Sequence, residues 1–428
     1  MFKNSIFFIC ALFVGCLSKA QQIDKIINVQ EVSRIEKTLS SDDMQGRAIY
    51  TEGIDKAATF ISNEFSQAGL QKLPGLDTYL QHFILLKPKQ ISASIKLDNE
   101  TINSQNLIVV TARKEFSINE HSGFEQEQVK NMDGFFKNAS AAIKEGKKKI
   151  FWIDTSMSNI FPRLNFFKRS LNPDAGDVVF VLTSAIPKAF SIEAVHQFEE
   201  KKLANVVGEI KGKTKPNEFV VFSAHYDHLG IGKPVNGDSI YNGANDDASG
   251  TTAVILLAKY FQAFHNNGRT IIFVAFTGEE SGGLGSTYFS THIPPAQVMA
   301  MFNIEMIGTE SKWGMNSAYI TGYEKTDMGK ILQENLKGSA FTFHPDPYTE
   351  ENLFYRSDNA TLARLGVPAH TISTSKMDNE PNYHKVSDEI STLNMNNMAE
   401  IIKSIAISST SMIEGKDTPT RVKTEDLK

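Results

Sequence analysis

Two spacings of apolar residues organise this chain. Over residues 54–68 the apolar positions are Ile54, Ala57, Ala58, Ile61, Phe65 and Ala68, one face of a 3.6-residue repeat, and Gly69 follows where a helix needs a cap. Residues 251–264 carry the same spacing in Ala253, Leu256, Leu257, Tyr260, Phe261 and Phe264, and a last helix is predicted over 395–412. Short continuous apolar runs read instead as buried strands: Phe219-Val220-Val221-Phe222, residues 270–276, residues 301–305 and the extended stretch 368–374. Residues 360–365 end at Gly366. From Asn205 onward strands and helices therefore alternate, the signature of an α/β architecture.

Before Asn205 the texture differs. Between residues 86 and 200, β-rich runs at 106–112, 149–153 and 177–182 are separated by polar stretches, and no cluster of reactive side chains occurs. This reads as an inserted or elaborated β-rich region, with residues 21–85 and 201–413 forming the main domain around it. The run Lys147-Lys148-Lys149 reads as a solvated turn before a strand, and the charged tail at 414–428 as disordered.

Reactive residues collect where apolar runs end. The clusters are His225-Tyr226-Asp227-His228, Asn245-Asp246-Asp247 within a small-residue segment, Glu279-Glu280, Glu305 and Tyr383-His384. Open α/β sheets place ligands at such strand ends. In His225-x-Asp227 the imidazole can ligate a metal while the carboxylate orients it. Asp246-Asp247 is compatible both with helix-capping acids and with a tight loop against a ligand. Adjacent Glu279 and Glu280 repel unless a cation lies between them. Glu305 sits in an apolar run, where an unpaired carboxylate would be costly. Together the set can hold two divalent metals and leave one carboxylate free as a base.

Composition narrows the field. Hydrophobic residues make up 41% and charged residues 22%, which fits a folded globular protein. A formal charge of −5 offers no electrostatic basis for binding nucleic acid. Residues 1–20 read as a signal peptide. Lys3 gives the positive start, residues 6–14 the apolar stretch and Ser18-Lys19-Ala20 a small-residue cleavage site. The stretch is too short for an integral membrane span. A competing reading makes Phe13-Val14-Gly15-Cys16 a lipidation box that anchors the chain at Cys16. Either way the protein is expected to be exported, to the periplasm or the extracellular space. Cys10 and Cys16 are the only cysteines, so the rest of the chain has no thiolate ligand. No Gly-x-Ser-x-Gly elbow supports a serine nucleophile.

The joint pattern resembles the co-catalytic di-zinc aminopeptidase family, whose members include bacterial leucyl aminopeptidases, glutamate carboxypeptidase II and the non-catalytic transferrin receptor. The resemblance covers about residues 205–413, more loosely 39–70, and includes Arg356-Ser357-Asp358 ahead of Gly366-Val367-Pro368. It implies a zinc-exopeptidase fold, α/β with a mixed, largely parallel central sheet flanked by helices. It implies two Zn2+ ions per chain, one bound by His225, Asp246 and Glu305, the other by Asp246, Glu280 and His384, so that Asp246 bridges. Glu279 matches the family's general base, Asp227 its orienting acid and Tyr383 an oxyanion-steadying residue. Many members have Asp where Glu305 stands. The resemblance further implies a cis peptide bond between Asp246 and Asp247, and a peptide substrate cut at its N-terminus. The alternatives are a glutaminyl cyclase of the same fold and a non-catalytic binding protein.

Overall fold

The computed structural model describes residues 22–427. The leader and the Cys16 anchor read from the sequence lie outside them. The described residues divide into two compact units, one comprising 22–82 and 204–427, the other Phe83–Leu203.

In the first unit, helices α1 (Val29–Leu39) and α2 (Glu52–Ala68) come first. The predicted helix at 54–68 is α2, ended by Gly69 in the left-handed region at φ 79°. The chain then enters the second unit through β1 (Leu80–Leu97). There β2 (Glu100–Ile102), β3 (Leu107–Val110), β4 (Glu115–Asn119), β5 (Glu125–Val129), α3 (Phe135–Lys144), β6 (Lys148–Ile153) and β7 (Asp177–Leu182) follow. The chain leaves along β8 (Phe190–Ile210). A four-stranded sheet of order β3-β7-β6-β5 forms the middle of this unit. Alternation decides its two faces. Ile108, Val110, Phe151 and Phe180 pack with Phe135 and Ala139 of α3. Val109, Ile150, Trp152 and Val179 pack with Phe116, Ile118 and Ile192 of β4 and β8. Lys148 and Lys149 belong to β6 and not to a turn, because Lys149 is neutralised in place by Glu125 at 2.7 Å and Glu127 at 2.8 Å on the neighbouring strand.

The first unit resumes with β9 (Lys215–His225), β10 (Gly230–Val235), β11 (Asp238–Tyr241), α4 (Ser249–Phe264) and β12 (Arg269–Phe276). Next come α5 (Leu284–Thr291), β13 (Val298–Ile304), β14 (Ser317–Ile320), α6 (Met328–Asn335) and β15 (Thr342–Pro345). The last elements are α7 (Asn359–Ala363), β16 (Ala369–Ser373), α8 (Met395–Ser408) and α9 (Thr410–Ile413). Its sheet runs β15-β14-β16-β13-β9-β12-β8. The pairs β9–β12, β9–β13, β13–β16 and β14–β15 are parallel, whereas β12–β8 and β14–β16 are antiparallel. This is the mixed, largely parallel sheet flanked by helices.

Both faces of that sheet are buried, as parallel strands require. Phe222 and Phe273 face α1, α2, α4 and α8, with Ile35, Ile61, Leu256 and Ile402 in the same core. Val221 and Val274 face Phe289 of α5 and Leu362 of α7. Phe222 stacks on Phe302 at 4.9 Å between ring centroids and on Phe261 at 5.6 Å. The tail expected to be disordered is folded onto this unit. Val422 is buried and its N–H donates to the Gly366 carbonyl at 3.1 Å, and Arg269 donates to the Asp417 carbonyl at 2.6 Å.

Candidate metal centre

Three parallel strands end side by side and deliver the reactive residues. His225 is the last residue of β9, Glu279 and Glu280 follow β12, and Glu305 follows β13. The segment Ala244–Ala248 leads into α4 and carries Asp246 and Asp247, joined by a cis peptide bond as the resemblance implied. Gly250 is demanded by packing: a Cβ there would lie 2.2 Å from the Ile304 carbonyl oxygen.

Nε2 of His225 lies 3.2 Å from Oδ1 of Asp246, 3.3 Å from Oε1 of Glu305 and 4.0 Å from Oε2 of Glu279. Nε2 of His384 lies 3.2 Å from both Oδ2 of Asp246 and Oε2 of Glu280. The two oxygens of Asp246 thus face two different imidazoles. Tyr383 stacks on His384 with ring centroids 3.9 Å apart. All eight residues singled out in the sequence converge here, and the structure adds a ninth. Nδ1 of buried His228 approaches Oε1 of Glu280 to 2.9 Å. Two trios place one donor atom each within 4.8 Å of one another: His225, Asp246 and Glu305; and His228, Asp246 and Glu280.

Charges and burial are in conflict unless a cation is supplied. Asp246 is buried, which opposes ionisation, yet hydrogen bonds with His225 and His384 hold its carboxyl far below the ordinary range. Burial also opposes ionisation of Glu280, but His228 and His384 bring it down to about 2. His384 is pushed up to about 10, first by its hydrogen bond to Asp246 and then by that to Glu280. Burial opposes a charge on His225, and Glu305 with Asp227 and Asp246 overcome it, so the ring lies well above its usual value. Glu279 is raised well above the carboxylate range by burial, with His225 opposing and Glu305 adding to the rise. Buried donor atoms are left over: both ring nitrogens of His228 and Oε1 of Glu280 make no hydrogen bond of acceptable geometry despite their proximity. Orphaned lone pairs of this kind, in an all-nitrogen-and-oxygen set around a shared carboxylate, fit a pair of divalent ions.

The surrounding residues hold the donors through backbone amides. Oδ1 of Asp227 accepts the Glu279 N–H at 3.1 Å and Oδ2 the Glu280 N–H at 3.3 Å. Nδ1 of His225 is nearer the Asp227 carbonyl oxygen, at 3.1 Å, than its carboxylate, at 3.7 Å. Asp227 therefore organises the Glu279-Glu280 turn as well as the histidine. Asp388 accepts the N–H groups of Asn245 and Asp246 at 2.9 and 3.0 Å. Oδ1 of Asp247 accepts those of Gly250 and Met306 at 2.9 and 3.1 Å. Sequence reasoning passed over Asp388 because it acts on main-chain groups, which leave no side-chain pattern. His228 stood in the quoted cluster without a role, one residue beyond the His-x-Asp pair.

Beside these residues a pocket of roughly 530 Å³, open mouth included, is lined by Asp246, Glu279, Glu305, Tyr383 and His384 together with Met306, Tyr319, Leu353, Arg356 and Met377.

The profile of Peptidase family M28 matches residues 205–408, the stretch that holds all these donors. A protein of Trichophyton verrucosum named "Probable leucine aminopeptidase" is 29% identical over 209 residues, 46% of this chain and 54% of that protein. A "Probable zinc metalloprotease" of Pyrenophora teres f. teres is 36% identical over 111 residues, 26% of this chain and 23% of that protein. The chain thus spans about half the length, or less, of these curated relatives. Among solved structures, an aminopeptidase from Aneurinibacillus sp. strain AM-1 shares the fold with a TM-score of 0.54 at 14% identity, covering 95% of this chain and 98% of that one. Strand order, donor set and profile fall on the same stretch: residues 205–408 of this chain match Peptidase family M28.

Proposed function

We propose that the chain is a zinc-dependent aminopeptidase that removes single residues from the free N-terminus of peptides. The observation that carries this reading is the Asp246 carboxylate, whose two oxygens face His225 with Glu305 on one side and His384 with Glu280 on the other. His225, Asp246 and Glu305 would hold one zinc ion, and Asp246, Glu280 and His384 the other, with His228 against the second set. Bound zinc would supply Lewis-acid polarisation of the scissile carbonyl and ease the deprotonation of water. The chain's own residues do the rest. Glu279 is half-buried beside the donors and takes the proton from the attacking water on a carboxylate oxygen. It then returns that proton to the nitrogen of the departing amine. Tyr383, at the pocket wall, offers a hydroxyl to the carbonyl oxygen as negative charge develops there. Met306, Leu353 and Met377 give the pocket apolar surface for the side chain of the departing residue. The carboxylates of Glu279 and Glu305 suit the substrate ammonium.

Export belongs to the same proposal and rests on residues 1–20. Among the described residues no helix is long and apolar enough to cross a membrane. The test uses one peptide in free, N-acetylated and C-amidated forms, with products followed by mass. Loss of single residues from the free N-terminus, unchanged by amidation and reduced at least about tenfold in kcat/KM by acetylation, is expected. Equal cleavage of the acetylated peptide, or release from the C-terminus, refutes it. Cyclisation of an N-terminal glutaminyl peptide without peptide-bond cleavage would establish the cyclase instead.

A further inference from the structure

A buried guanidinium outside the matched stretch grips the loops that carry the donors. Arg47 ends the turn Asp42–Arg47, at φ 50°, and is 1% exposed. Its Nε donates to the Tyr226 carbonyl at 2.9 Å, its Nη1 to those of Leu39 and Asn242 at 2.6 Å each, and its Nη2 to that of Gly243 at 2.9 Å. The Arg47 carbonyl in turn accepts the His228 N–H at 3.3 Å. All four acceptors are main-chain carbonyls, so this is not an ion pair. Burial disfavours the charge, while Glu36, Asp388, Asp227 and Asp246 favour it from farther away. A guanidinium keeps its proton in such surroundings.

The choice of carbonyls is informative. Tyr226 lies between His225 and Asp227, and Gly243 opens the loop that reaches Asp246. One rigid, planar group therefore spans from the turn bearing the first histidine to the loop bearing the shared carboxylate. Its fork fixes the distance between those main-chain points. A lysine ammonium, a single point of donation, cannot hold four carbonyls in that arrangement.

We infer that Arg47 is a positioning residue of the metal centre, setting the separation of Asp246 from His225. The inference rests on the di-zinc reading above. It makes the N-terminal segment part of the site although the family profile begins at residue 205. Groups that orient ligands from outside the coordination shell are worth about 10- to 100-fold in metal affinity.

The experiment compares the full chain with its Arg47→Lys and Arg47→Met variants. Each is stripped of metal and titrated with zinc against a chromophoric competitor, and thermal unfolding of the metal-free forms is recorded alongside. Both variants are expected to unfold cooperatively and to bind zinc about 10- to 100-fold more weakly, Met more so than Lys, with activity partly restored by excess zinc. Wild-type zinc affinity in the variants overturns the inference, whatever their metal-free stability. Failure of both to fold even with zinc in excess also overturns it, by making Arg47 a residue of the fold and not of the metal centre. A wild-type chain that binds no zinc refutes the peptidase reading instead.

Discussion

The Ser357 hydroxyl donates to Oε2 of Glu305 at 2.7 Å, while Oε1 of the same carboxylate stands 3.3 Å from Nε2 of His225. Ser357 is itself held by the Asn303 amide at 2.8 Å, and the other end of that amide accepts the Ser223 hydroxyl at 2.8 Å. The longer side chain at 305 is thus pinned at its far oxygen. Ser357→Ala should weaken zinc binding by about 10- to 100-fold, because the freed carboxylate must be ordered by the metal itself. Glu305→Asp should do likewise, since its shorter side chain cannot reach both Ser357 and the metal position. Competition titration with a chelator gives the answer; unchanged affinity in both variants would show that the pinning is idle.

The protein should carry about two zinc ions per chain and lose turnover when they are chelated. The donor set is imidazole and carboxylate, without sulfur, around one shared oxygen pair. Elemental analysis of the protein checks the stoichiometry. Full activity in rigorously metal-free protein would contradict the proposal.

The two adjacent glutamates should separate in function. Glu279→Gln should retain zinc and lose about 10²–10⁴-fold in kcat, the worth of a positioned general base. Glu280→Gln should instead lower zinc occupancy, since its carboxylate is shared by His228 and His384. The reverse pattern would exchange their roles.

Glu36 makes stability pH-dependent. Its buried carboxyl is pushed up to about 8 by burial, against the Thr252 hydrogen bond and the Arg47 charge, with Asp388 adding to the rise. An acid raised in this way keeps its proton in the folded chain after the unfolded chain, near 4.5, has released it. Its cost to folding is therefore absent below the unfolded value, grows between about 4.5 and about 8, and is then constant. Glu36→Gln should leave metal-free stability little changed at pH 5 and raise it by a few kcal/mol at pH 8. Chemical denaturation at the two pH values, with chelator present, measures this. An equal effect at both would mean that Glu36 does not titrate in the window.

Elements whose apolar pattern reports burial were readable in advance. The face of Ile54, Ala57, Ile61 and Phe65 became α2 because it packs on the sheet, and the runs ending at His225 and Phe276 became parallel strands because both their faces are covered. The site was readable for a related reason: carboxylates and imidazoles at strand ends are costly unless they share a ligand. Other features had no such trace. Helix α1 buries Val32, Ile35 and Leu39, but it was passed over among charged neighbours. The last predicted helix breaks at Ser409 into α8 and α9. Arg47 and Asp388 work on main-chain atoms, and the tail folds back because Arg269, just ahead of the strand read at 270–276, reaches Asp417 and Thr418.

The placement of α1 and α2 bears on how the polypeptide acquires its structure as it is made. Their buried residues, among them Val32, Leu39, Ile61 and Phe65, share one core with Phe222, Leu256 and Ile402. During synthesis those helices emerge before β9, α4 and α8 and have nothing to bury against. Phe83–Leu203, with two cores of its own, can settle meanwhile. The helices must wait in solution until the chain past α4 has left the ribosome, a long-range closure of the slow kind. A nascent chain halted before Ser249 should accordingly be cut by protease within 22–82 and resist within 83–203; protection of both would contradict this order. Residues 29–68, made before the strands and helices they pack on, are among the last to find their place, and the stretch recognisable by kinship is shorter than the stretch that shares its core.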